Sequence, residues 1–272
     1  MKLLPISVVF AFVVGLFFAA PAFSQEDKLT YERAYQDYTY NYDIYRRANS
    51  EYESFRLQYI QYKTLTAQEN AREATVRMLQ ARDEVVKTYL TALRTRLSET
   101  GGIMDDKRNA LYSEIDASVL WFSGHKDKIP SAGTLEDLVK DSDEARDYYR
   151  KNEYELYDAL VTISIGKIAS IREKQENALS EIKAKVAEIR ANGDKDTGVL
   201  ERWILDTENK IARSREKEFE ALDLMPKLKG SGDKINTDKY DDVLFKLSES
   251  LQYLKDANSY MKEIVNEIKF ED

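Results

Sequence analysis

Apolar side chains recur every three or four positions from Glu26 to about Ser98, with charged and amide residues between them and no glycine or proline. That periodicity predicts one helix of roughly 70 residues, about 110 Å long at the α-helical rise. Its first seam runs Tyr31, Tyr35, Tyr38, Tyr42, Tyr45, Asn49 and Tyr52, with Tyr59 one heptad on. A second seam runs Phe55, Tyr62, Leu65, Val76, Leu79, Val86, Leu90, Leu93 and Leu97, offset by three residues from the first. Such an offset is a stammer, which overwinds a supercoil or hands the helix to another partner, so the helix changes face near residues 52 to 65.

Gly101-Gly102 is a stop signal for this helix. A shorter helix from about Asp105 to Phe122 follows, with Leu111, Ile115, Val119 and Phe122 on one face. The stretch from Ser123 to Thr134 holds Gly124, Pro130 and Gly133 and is expected to be a loop. Thr134, with Asp137 three residues on, caps a third helix that is expected to reach Arg190 and stop at Asn192-Gly193. Within it, Val161, Ile163 and Ile165 alternate as in a strand, but the spacing Tyr154, Tyr157, Val161, Ile165, Ile168 keeps the segment helical. Gly166 then marks a bend or a close helix crossing.

After a turn at Asp194 to Gly198, Leu200, Ile204, Thr207 and Ile211 open a fourth helix that ends before Pro226. The loop Lys229-Gly230-Ser231-Gly232-Asp233 precedes the last helix. Its seam reads Tyr240, Leu244, Leu247, Leu251, Leu254, Asn258, Met261, Val265 and Ile268. Asn258 is the one polar member, a position where a buried amide specifies register and partner.

The fold class expected is therefore all-α: an elongated helical bundle or coiled coil of about five helices, two of them very long. The segments are 25–100 for the long first helix, 101–192 for a short and a long helix, and 193–272 for a helical hairpin. Helices of about 20 and 57 residues would together match the first in length if they ran back along it. The alternative breaks the first helix near the stammer and makes two smaller bundles.

Residues 1–24 read as a signal peptide: Lys2, an apolar run from Ile6 to Ala20, and the small-residue exit Ala22-Phe23-Ser24 before Gln25. An uncleaved anchor is the alternative, since Leu3 to Ala20 is long enough to reach across a bilayer. The protein is thus expected to be secreted or held in the cell envelope, touching membrane only through this segment if it is retained. With Lys2 the only charged residue before Glu26, the remainder carries 40 basic and 49 acidic side chains, net −9. Nucleic acid is disfavoured as a partner, because phosphate backbones reward clustered positive charge. With no cysteine, lipidation at a lipobox cysteine and disulfides are excluded.

The chemistry of the side chains narrows function further. One histidine and no cysteine leave thiol and zinc-protease mechanisms without candidates. His125 reads as a solvated loop residue rather than a ligand. Asn192, Asp194 and Asp196 alternate like the first ligands of a calcium loop, but Thr197 and Trp203 stand where glycine and glutamate are needed. No catalytic, cofactor-binding or metal-ligating set is expected, and no cofactor. The least ordinary feature is the tyrosine cluster, with nine of the 18 tyrosines at Tyr31, Tyr35, Tyr38, Tyr40, Tyr42, Tyr45, Tyr52, Tyr59 and Tyr62. Large rings with a polar tip suit a partner surface, and heptad spacing suits packing within the bundle; Tyr40 lies off the seam.

The spaced tyrosines of Tyr38 to Arg46, Tyr62-Lys63-Thr64-Leu65-Thr66, and Ala81-Arg82-Asp83-Glu84-Val85-Val86-Lys87-Thr88-Tyr89-Leu90 form one set of motifs. Glu114-Ile115-Asp116 followed by Trp121, and Thr134-Leu135-Glu136-Asp137-Leu138, form another. In these the chain resembles a group of uncharacterised exported helical proteins of candidate-phylum bacteria (Patescibacteria, including Microgenomates). The resemblance implies export and helical architecture and brings no activity with it. The function expected is that of a non-enzymatic spacer, scaffold or adhesin-like protein whose partner is a protein, itself or another of the envelope. A holdase-type chaperone gripping clients by aromatic helix faces is the alternative.

Overall fold

The computed structural model describes residues 29–193, 196–230 and 235–269. Residues 1–24, expected to be a signal segment, and Asp194, Ser231, Gly232 and Asp233 lie outside the described residues. Those described form seven α-helices and two short 3-10 turns, with one antiparallel bridge between Lys229 and Ile235. The all-α class holds, whereas the expected number and lengths of helices require correction.

The first correction is the 70-residue helix, which folds back on itself. α1 spans Tyr31–Tyr62 and α2 spans Leu65–Glu99. Between them Lys63 takes a left-handed conformation (φ 51°) and donates its N–H to the Tyr59 carbonyl at 2.9 Å. Thr64 then caps α2, its Oγ1 accepting from the Ala67 N–H at 3.2 Å. A non-glycine residue there costs about 1–2 kcal/mol. Folding back offsets this by packing Tyr45 and Tyr52 of the first seam with Val76 and Leu79 of the second. Tyr31 N–H donates to Glu99 Oε1 at 2.8 Å, the Tyr38 and Tyr89 rings lie 5.5 Å apart, and Arg77 pairs with Glu51 at 3.6 Å. Each arm is about 50 Å long, half the rod expected.

α3 spans Asp105–Lys128 and passes into a 3-10 turn at Ile129–Ser131. The helix thus runs through Gly124 and His125, where a loop was expected. Phe122, His125 and Ile129 lie on its buried side, and their burial outweighs the roughly 1 kcal/mol that glycine costs a helix. α4 spans Leu135–Lys151 with the expected cap: Thr134 Oγ1 accepts from the Asp137 N–H at 3.1 Å.

The second long helix is broken at Asn152, whose side-chain amide donates to the Tyr148 carbonyl at 2.8 Å. α5 then spans Glu153–Asn192, and Val161 to Ile165 are helical within it. α6 spans Gly198–Leu224, followed by the 3-10 turn Met225–Leu228, and α7 spans Thr237–Lys269.

α5 links two cores. Its Leu156, Ala159 and Ile163 join Leu90, Leu93 and Leu97 of α2 and Leu111, Ile115 and Phe122 of α3. Further along, Val161, Ile168, Leu179 and Val186 pack with α6 and α7. At the junction Gly166 meets the α2–α3 turn: a Cβ there would lie 2.4 Å from Ile103 Cγ1 and 2.7 Å from the Gly101 carbonyl oxygen. The expected close crossing is therefore with a turn.

The α7 seam holds at Tyr240, Leu247, Leu254 and Met261 and differs from its reading in the sequence at the alternate positions. Buried positions are Tyr240, Val243, Leu247, Ser250, Leu254, Ala257, Met261 and Ile264. Ala257 takes the place expected for Asn258, which is half-buried beside a shallow groove between α5 and α7. The buried polar contact of this bundle is instead Ser214 with Ser250, their hydroxyls 2.8 Å apart. Ser250 Oγ also donates to the Ser214 carbonyl at 2.8 Å, and both side chains are fully buried.

Candidate functional site

The most chemically distinctive place is where α2, α3 and α4 meet around the chain's single histidine. Extending α3 past Gly124 puts His125 one turn after Trp121, so it faces the core. It is buried, not solvated as its expected place in a loop required. Its Nδ1 lies 2.5 Å from Oδ2 of Asp83, which α2 presents from a fully buried position. Arg82 approaches the other Asp83 oxygen at 3.5 Å and donates to Ser142 Oγ of α4 at 3.0 Å.

The Trp121 ring stacks on the imidazole at 4.9 Å and on Tyr148 of α4 at 3.9 Å. The stack holds the histidine ring plane, and Asp83 holds its rotation. A carboxylate at Nδ1 accepts the ring N–H there and leaves Nε2 as the nitrogen turned to other partners. Nε2 has no hydrogen-bond partner, although the His125 side chain is only 2% exposed.

Opposite stand Asp141 and Glu144, one helical turn apart on α4. A ring nitrogen of His125 and one carboxylate oxygen from each acid all lie within 4.8 Å of one another. With Nδ1 engaged by Asp83, Nε2 is the nitrogen left for this group. Lys128 also reaches in, its Nζ 3.2 Å from Asp141 Oδ1 and 2.8 Å from Glu144 Oε2. These hydrogen bonds raise the lysine's pKa and lower that of the Glu144 carboxyl. The cluster thus combines an oriented imidazole whose Nε2 has no partner with two carboxylates that share one ammonium.

None of this set was singled out as a site in the sequence. The available signals were the i, i+4 pair Trp121 and His125 and the i, i+3 pair Asp141 and Glu144, both obscured by the expected loop.

The tyrosine surface is placed differently. Tyr31, Tyr35, Tyr38, Tyr42, Tyr45, Tyr52 and Tyr59 are half-buried in the α1–α2 interface, and Tyr40 and Tyr62 are exposed. From Tyr31 to Tyr45 the rings form a ladder with centroids 5.8–6.5 Å apart. Arg96 lies over the Tyr31 ring at 4.8 Å. Burial raises the pKa of Tyr38 and Tyr45, and that of Tyr89 behind them most of all. At the tip of the hairpin Leu57, Ile60, Tyr62 and Leu65 are exposed, Leu65 at 79%.

Of the calcium-like turn, Asn192 ends α5, and Asp196 Oδ1 accepts from the Gly198 N–H at 2.9 Å at the start of α6. Asp196 thus satisfies a helix terminus. No helix among the described residues is long and apolar enough to cross a membrane. Comparison with family models, with curated proteins and with solved structures finds no match to the chain.

Proposed function

We propose that the protein is an exported, non-enzymatic interaction protein that engages a partner protein through the tip of its α1–α2 hairpin. One observation carries this reading: four large apolar side chains, Leu57, Ile60, Tyr62 and Leu65, stand exposed where the hairpin turns. Clustered exposed apolar groups of this kind characterise contact surfaces. The segment from Phe55 to Gln68 also contains Arg56 and Lys63 and no acid, on a chain of net charge −8. The partner that fits is a protein with an apolar pocket rimmed by acidic groups.

A holdase reading gains less support, because seven of the nine clustered tyrosines are half-buried against α2 and only Tyr40 and Tyr62 are exposed.

The test places a photo-crosslinking residue at Leu65, or at Lys185 on α5 as a control, in the full chain exported by its host. A discrete adduct from position 65 alone, with the identified partner losing affinity for Leu57→Glu and for Lys63→Glu, supports the reading. Equal adducts from both positions, or partner binding unaffected by both substitutions, overturn it.

A further inference from the structure

We infer that His125, Asp141 and Glu144 form a binding site for a divalent transition-metal ion of the zinc class, with Asp83 as the carboxylate that orients the histidine. This goes beyond the hairpin-tip reading and does not depend on it. Acidic side chains gather on many helices without binding metal, so the weight rests on the imidazole. Its Nε2 is buried and lacks a partner, and a ring nitrogen of His125 belongs to a group of potential ligand atoms within 4.8 Å of one another, Nδ1 being already held by Asp83. A buried ring nitrogen without a partner is costly unless something takes up its lone pair.

Asp83 supplies the other half of the argument. Metal-bound histidines characteristically donate their second N–H to a carboxylate, which fixes tautomer and ring orientation. The 2.5 Å contact from Nδ1 to the fully buried Asp83 provides that arrangement before any ion arrives. Ligands at about 2.0–2.1 Å around a tetrahedral ion lie about 3.4 Å apart, so the present separations must contract. The Glu144 side chain is about half exposed and can make that movement, while His125 and Asp83 stay fixed in the core.

An imidazole with two carboxylates favours zinc-class ions over calcium, which prefers six to eight oxygens. Three protein ligands leave a fourth position for water. On binding, the ion accepts the Nε2 lone pair and one oxygen from each acid, and Lys128 leaves Asp141 and Glu144 for solvent. Lys128 is therefore the internal competitor of the metal. Removing its charge strengthens binding, which a merely structural salt bridge would not predict.

The test uses the full, tag-free chain, stripped with chelator and titrated with Zn2+ alone. Calorimetry reads affinity, and NMR of 15N-labelled histidine reads the ring, which is unambiguous because the chain has one histidine. One equivalent is expected to shift Nε2 strongly and leave Nδ1 bonded to Asp83. Glu144→Gln, at an exposed position that folding tolerates, weakens binding at least tenfold. Asp83→Asn weakens it by about 10–100-fold where that variant folds. Lys128→Met tightens it severalfold. Absence of binding overturns the inference, as does Zn2+ binding that leaves Nε2 unmoved. Affinities equal to the parent's in both Glu144→Gln and Lys128→Met overturn it as well.

Discussion

Gly166→Ala tests the junction between the two cores through two effects of opposite sign. In a helix interior alanine is favoured over glycine by about 1 kcal/mol, so without tertiary contacts the substitution would stabilise α5. Here the new methyl would stand 2.4 Å from Ile103 Cγ1, 2.7 Å from the Gly101 carbonyl oxygen and 3.0 Å from Thr100 Cγ2. Ile103 is buried and cannot simply rotate away. The turn cannot retreat freely either, because Gly102 sits at φ 72° with its own Cβ position 2.4 Å from the Gly166 carbonyl oxygen. Overpacking of this kind costs about 1–3 kcal/mol, and a backbone contact belongs at the upper end. The net expectation is a loss of about 1–2 kcal/mol, or about 2–8 °C in Tm for a chain of this size. Thermal and urea unfolding measure it, with Gly124→Ala as the control. Gly124 is an exposed helical glycine with nothing within 4 Å of its Cβ position, so the same change there should raise stability by up to about 1 kcal/mol. A Gly166→Ala protein as stable as the parent would refute the claim that this crossing is sterically closed.

Three further outcomes are expected. Ser250→Ala leaves Ser214 without its buried partner and costs about 1–3 kcal/mol, whereas the Ser214→Ala/Ser250→Ala double variant loses less than the two single losses added together; a double-mutant cycle in urea checks the coupling. Burial raises the Glu84 pKa, but hydrogen bonds from Lys126 and Lys87 more than offset it, and the net direction is down. Its stabilisation, at most about 1 kcal/mol, is therefore present above the unfolded carboxyl pKa and is lost as pH falls through the folded one. The Tm gap between parent and Glu84→Gln should accordingly be full above about pH 5 and shrink toward zero in acid. Burial lowers the Lys167 pKa to about 8, with the nearby Arg96 adding to the effect. Because the folded state sheds this proton before the unfolded state does, its penalty is full below about pH 8 and relaxes toward pH 10. Lys167→Met should then raise Tm by about 2–4 °C at pH 7 and by less at pH 10, and an equal gain at both would refute the assignment.

Much of the helical content was legible because apolar spacing of three and four residues needs no tertiary information. The hairpin was legible only as an offset. The seams around Tyr52 and Leu65 fell out of phase, but the turn uses a left-handed Lys63, so neither glycine nor proline announced it. The same weakness of punctuation acted in reverse at Gly124, Pro130 and Gly133. Three breakers in ten residues suggested a loop, yet Gly124 is accommodated in α3 and Pro130 sits in a 3-10 turn where its missing N–H costs little. On α7, leucines at 244 and 251 drew the seam to the wrong neighbour of Val243 and Ser250. Small residues carry little hydrophobic signal even when helices approach most closely through them. His125 followed from the loop error, since a residue placed in a loop is assigned no core face.

The hairpin tip and the histidine cluster are joined through one set of contacts. Tyr45, Ala48 and Tyr52 of α1 pack on a core formed by Met78 and Leu79 of α2, Ile129 and Ala132 after α3, and Leu138 of α4. Asp83 follows Leu79 by one helical turn, and Asp141 follows Leu138 by three residues, so the cluster lies beside the core that supports the outer half of α1. Beyond that core α1 rests on α2 alone among its substantial contacts, and the exposed apolar side chains begin. An ion that ties α3 to α4 would stiffen the platform under Tyr45 and Tyr52 and leave the tip, one helix deep, free to adapt to a partner. That division follows from the contacts: rigidity where three helices converge on His125, and compliance where two helices extend past them.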